Sequence, residues 1–197
     1  MILSEHRNEF ESLLIQAYSE DISIVKEKLC KETILSYCIF CDSAFSNFGA
    51  AVCTESWLKS QSIKIQEINA CSIQQAILYV EMHAAEWGYY SPSSKSFSAI
   101  NDFTQKIRNA DYDGDLIGIY KEGDFDGTNY DDYSKFYIDC IINIFEQLIK
   151  SRYFIGSPFG SDILLGLQYP DPTKLQQSFM IKVSEKVNSP SWHKKML

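Results

Sequence analysis

Ile34-Leu35-Ser36-Tyr37-Cys38-Ile39-Phe40-Cys41, followed after a short polar stretch by Phe48-Gly49-Ala50-Ala51-Val52-Cys53-Thr54, decides the fold class. The first run is almost continuously apolar and too short for a typical helix. It therefore reads as a strand buried on both faces. Asp42 to Asn47 supplies turn residues, and the second run reads as another strand, so the pair forms an antiparallel hairpin with a longish loop. Gly49 inside the second strand suggests a bulge or a close backbone approach.

Helical periodicity surrounds this hairpin. Phe10, Leu13, Leu14, Ala17 and Tyr18 fall at i, i+3, i+4, i+7 and i+8, which predicts a helix over about 5–31, with Ser4 as its N-cap. Residues 55–70 carry no clear pattern. Ser72 is placed to cap a helix running to about Trp87, stopped by Gly88, and a loop follows from Tyr89. A short amphipathic helix is expected over Phe97–Ile107. Tyr130 to Arg152 is the clearest helix, because Asp139, Asn143, Glu146, Gln147 and Lys150 make a single polar stripe on an otherwise apolar cylinder. A turn at 156–160, a strand over 163–169, a helix over 173–187 and a polar tail from 189 complete the chain. Strands joined by a short loop are antiparallel. The expected fold is therefore α+β, a small, mostly antiparallel sheet packed by several helices in one domain over 1–197.

The chain has 197 residues and a net charge of −8, which argues against nucleic acid as a partner. The charge is concentrated. Residues 111–132 hold Asp111, Asp113, Asp115, Glu122, Asp124, Asp126, Asp131 and Asp132 against Lys121 alone, a net −7. Four glycines also fall in 109–132, so the segment is expected to be a long acidic loop with at most a short strand at 116–120. Such loops are often functional. No apolar leader follows Ser4-Glu5-His6-Arg7, and no run is long enough to span a bilayer. A cytoplasmic location is expected, with Cys30, Cys38, Cys41, Cys53, Cys71 and Cys140 as reduced thiols.

Several patterns invite a chemical reading. Cys38-x-x-Cys41 lies inside a strand, where i and i+3 point to opposite faces, so it reads as two buried thiols rather than a redox or zinc pair. The aspartates at 111, 113 and 115 lack the Gly of a calcium loop, since the sixth position is Leu116 although the twelfth is Glu122; counted from Asp124 the two positions are Asn129 and Lys135, so neither frame fits. His83 and Glu86 are three apart on an expected helix and could share a metal, but the chain offers only two further histidines, near its termini. No cofactor or metal is expected, and no nucleophile–base pair stands out. Trp87 and Tyr89 suit an aromatic recognition patch. The expected partner surface therefore comprises Trp87, Tyr89, Asp111, Asp113, Asp115, Asp124, Asp126, Asp131 and Asp132. The alternative is a metal-dependent hydrolase using His83, Glu86 and loop aspartates.

Tyr37-x-Ile39-Phe40-Cys41-Asp42, Cys53-Thr54-Glu55, Glu86-Trp87-x-Tyr89 and Phe97-x-x-Ile100-Asn101 make one half of a wider pattern. Phe159-Gly160 and Leu164-Leu165-x-Leu167-x-x-x-Asp171 make the other half. Together they resemble the bacterial domain-of-unknown-function family 4303 over nearly the whole chain. The resemblance implies a small cytoplasmic protein of the kind encoded beside polymorphic toxins, with an immunity-type role. Taken with the acidic segment, that role makes a cationic toxin domain the expected partner. That family has no established catalytic residues, so none carries over, and the acidic segment is not one of its recognised features.

Overall fold

The computed structural model describes residues 3–90, 95–113 and 130–197. The hairpin forms where the two apolar runs place it: β1 (Ile34–Cys41) pairs antiparallel with β2 (Phe48–Thr54). Its turn is organised by Asp42. The carboxylate accepts from the backbone N–H groups of Ala44 and Ser46 and from the side chains of Ser46 and Asn47. Phe45 adopts φ 52°, a left-handed value that costs energy for a bulky residue, and its ring stacks on Tyr137 at 4.7 Å inside the core. The register is regular at Gly49, and the irregularity lies instead between Ile34 and Ser36.

Two more strands extend the pair. Tyr89–Tyr90, expected as loop, forms the short strand β3 along the β2 edge. The strand expected over 163–169 is longer, β4 (Phe159–Gln168), and runs parallel to β1. The order is β3-β2-β1-β4, a mixed sheet. The side chain of Asn188 closes part of the open edge of β4: its carbonyl accepts from Leu165 N–H at 2.8 Å and its amide donates to Leu165 C=O at 2.6 Å. Asn101 does the same for Phe48 on β2. Unpaired strand edges invite association with other chains, and these two carboxamides imitate a neighbouring strand for one residue each.

Helices cover both faces of the sheet. On one face Tyr37, Ile39, Phe48, Ala50, Val52, Leu165 and Leu167 meet the main core. That core is supplied by α1 (Arg7–Lys28), α4 (Ser98–Tyr112) and α5 (Tyr130–Lys150). Helix α6 (Lys174–Val187) flanks β4 and adds Met180 and Val183. On the polar stripe of α5, Glu146, Gln147 and Lys150 are exposed, whereas Asp139 and Asn143 are half-buried and bond to Lys182 of α6 and Glu11 of α1; Ile141 and Phe145 are fully buried. On the other face Cys38, Phe40, Ala51, Cys53 and Leu164 form a second core. Its cover is α2 (Glu55–Asn69), α3 (Ile73–Met82) and α7 (Pro190–Met196). The alternation of β1 thus sends Cys38 into one core and Cys41 into the other, and all six cysteines are free.

Four boundaries differ from the sequence reading. A 3₁₀ turn over Leu3–His6 precedes α1, so Ser4 is not its cap; His6 holds that position without a capping bond. The unpatterned 55–70 segment is helix α2. Its N-cap Thr54 ends β2 directly and accepts from Trp57 N–H. The tail from 189 is helix α7. Ser189 caps it, Pro190 occupies its first turn, and the ring of Trp192 is buried in the second core. Both ends of the segment expected as an acidic loop are helical, because α4 runs through Tyr112 and α5 starts at Tyr130; the rest of that expected loop, with the short strand expected at 116–120, lies outside the described residues. No helix among the described residues is long and apolar enough to cross a membrane.

Candidate functional site

The surface around His83 and Glu86 is built where α2, α3 and the turn after α3 converge. A reciprocal capping box, Ser72 with Gln75, starts α3. The helix stops at Met82 rather than near Trp87, since His83 leaves helical geometry at φ −120°, ψ 98°. Two rings then bond to carbonyls of the last helical turn, of which Val80 C=O also accepts from His83 N–H at 3.4 Å. The Trp87 indole N–H donates to Val80 C=O at 2.7 Å, and His83 Nδ1 lies 2.7 Å from Tyr79 C=O. A carbonyl only accepts, so Nδ1 carries the proton and Nε2 of the neutral ring is an acceptor. The His83 ring also stacks on Tyr79, with centroids 4.3 Å apart.

Glu86, in the 3₁₀ turn Ala84–Glu86, is the hub of this surface. Its carboxylate accepts from Gln61 Nε2 at 3.1 Å and from the Tyr79 hydroxyl at 3.4 Å. Its backbone carbonyl accepts from the Trp57 indole at 2.7 Å. The Trp57 ring lies on Gly88 so closely that a Cβ there would stand 2.5 Å from Trp57 Cδ2. Trp57 and Tyr79 nevertheless remain 38% and 39% exposed. Both partners of the Glu86 carboxylate are neutral, and no ion pair involves it among the described residues. The result is an uncompensated carboxylate beside two fixed aromatic rings.

The expected site residues are placed unevenly. Trp87 is 5% exposed and belongs to the second core, which corrects its assignment as a surface anchor; its indole serves the helix end. Tyr89 is half-buried in β3, with the Lys28 ammonium 5.8 Å from its ring. Asp113 is exposed just beyond α4. Asp111 falls in the last turn of α4, and Asp131 and Asp132 in the first turn of α5. Asp115, Asp124 and Asp126 lie outside the described residues. Trp57 and Tyr79 were missed because the first sits in a segment without periodicity and the second reads as one more ring on a helix.

The hydrolase alternative loses the spacing that suggested it. His83 and Glu86 do not share a helix, His83 Nδ1 is engaged by a carbonyl, and Glu86 is held by Gln61 and Tyr79. Among the described residues no group of three His, Cys, Asp or Glu side chains is placed to hold a metal. Burial pushes the thiols of Cys38 and Cys41 well above their ordinary range, and those of Cys53 and Cys140 up to about 12. Such thiols stay protonated and are poor nucleophiles. Burial first, then the Glu86 charge, raises the Tyr79 hydroxyl above its usual value. No protein-family model, no curated protein and no solved structure matches this chain.

Proposed function

We propose that this chain is a cytoplasmic, protein-binding module of immunity type, which neutralises a basic toxin domain by docking it on an acidic surface with aromatic anchors. The observation that carries the reading is the unneutralised Glu86 carboxylate flanked by the exposed rings of Trp57 and Tyr79. A guanidinium or ammonium group from a partner fits such a place twice over, through the carboxylate and through the ring faces. Tryptophan and tyrosine are also the residues that most often dominate protein interfaces. The concentration of −7 within 111–132 supports the same partner, because a strongly acidic segment raises the encounter rate with a cationic surface. The resemblance to family 4303 agrees with an immunity-type role.

The test is capture from a lysate of the source organism on immobilised protein. Wild type is compared with Glu86→Gln, with Trp57→Ala, and with a variant carrying Asn at positions 111, 113, 115, 124 and 126. The basic protein retained by wild type should be weakened by each site variant. Its association with the five-fold variant should slow at least about tenfold at low salt and much less at high salt. Equal retention by all four proteins at every ionic strength would remove the proposal.

A further inference from the structure

Beside His83 lies a half-open cleft of about 380 Å³, within the range of small-molecule sites. Met82 and His83 at the end of α3, Gln168 at the end of β4, Gln177 and Met180 on α6, and Met196 on α7 line it. Gln168 is the informative residue. It ends β4 beside Phe40 of β1, at the carboxyl end of the parallel pair, and is 3% exposed. Its carboxamide makes no hydrogen bond among the described residues, although an amide carries two donors and an acceptor. Its polar atoms are not among the fully enclosed unpartnered ones, so they are reached from the cleft, where water or a bound molecule can pair with them.

The rest of the cleft narrows the chemistry. Lys195 at its rim is paired with Glu81 at 2.8 Å and lies over the Trp192 ring at 4.1 Å, so it holds no spare charge for an anion. Three methionines supply soft, adaptable apolar walls. The Gln177 amide is already turned to Pro172 C=O at 3.3 Å. His83 contributes Nε2 as an acceptor, since Nδ1–H is directed to Tyr79 C=O.

We propose that this cleft binds a small uncharged molecule with an apolar body and a planar donor–acceptor edge. The Gln168 carboxamide would pair with that edge, and His83 Nε2 would receive a further N–H or O–H. An amide or lactam and a nucleobase both present such an edge, and the experiment separates them. Wild-type protein is titrated in ligand-observed NMR with nicotinamide and 2-pyrrolidone in one arm, and with adenine and uracil in the other. N,N-dimethylnicotinamide, which has lost its donors, serves as control. At least one arm should bind with a Kd below about 1 mM, the control at least tenfold more weakly. Gln168→Leu, of similar size, should weaken binding at least tenfold while Tm holds or rises by a few degrees, because the unpartnered amide is gone. Absence of binding in both arms would overturn the proposal, as would equal binding of the control. So would full binding by Gln168→Leu, or a loss of Tm in that variant, which would mark the carboxamide as already satisfied within the fold.

Discussion

Replacing Gly88 with alanine tests how the aromatic platform is built. The added Cβ would stand 2.5, 2.7 and 3.0 Å from three carbons of the Trp57 ring, where about 3.5–4 Å is the comfortable separation. The ring must therefore withdraw by about 1 Å. The indole N–H then leaves the Glu86 carbonyl, now 2.7 Å away. Losing one partly exposed hydrogen bond and some ring contact should cost about 1–2 kcal/mol. Gly88 is not among the glycines with positive φ, so alanine carries no backbone strain of its own. In a Trp57→Ala background the same change should therefore be neutral or stabilising by up to about 1 kcal/mol, through the unfolded chain. The assay is urea unfolding of the four proteins in the double-mutant cycle, with a coupling of at least about 1 kcal/mol expected. Emission gives a second readout. Trp87 and Trp192 are buried, so displacement of Trp57 should dominate any red shift. If Gly88→Ala destabilises equally in both backgrounds, the contact between Gly88 and Trp57 is not what fixes the platform.

Phe145→Ala should cost about 3–5 kcal/mol, because its ring is fully buried. Asn143→Ala should cost about 1 kcal/mol, somewhat more than its place on the polar stripe implies, since its amide donates to Glu11 at 2.7 Å; equal losses at the two sites in urea unfolding would mean the α5 face is misassigned. Asn188→Ala exposes both backbone groups of Leu165 and should cost about 2–3 kcal/mol while promoting self-association in sedimentation; a loss below about 0.5 kcal/mol would show that the carboxamide clamp is idle. Titration of native protein with a thiol reagent at pH 8 should reach the exposed Cys30 and the half-buried Cys71 quickly. Burial pushes the thiols of Cys53 and Cys140 up to about 12 and those of Cys38 and Cys41 well above their ordinary range, so all four stay protonated at pH 8 and denaturation should be needed to reveal all six. Four or more fast thiols in the native protein would contradict the burial.

Much of the local structure was settled by sequence because the signals are local. The apolar runs at 34–41 and 48–54 have strand length and flank a turn built on Asp42, so a hairpin was the available outcome. Alternation along β1 placed Cys38 and Cys41 on opposite faces before any contact was known. Helix α5 announced itself because most of its circumference is buried and only one polar stripe is left. Helices α2 and α7 were hidden for the opposite reason: each buries so little that no period emerges, α2 only Ser62 and Ile65, α7 only Trp192. What tertiary structure alone decided is everything that depends on which distant segments become neighbours. A strand's own pattern does not say that β4 will lie parallel to β1. Nothing near Trp57 in sequence foretells that its ring will rest on Gly88, nor does anything near Gln168 foretell that its amide will face a cleft closed by α3, α6 and α7. Periodicity reports how a segment meets its surroundings on average; the identity of the neighbour comes only from the packing of the whole chain.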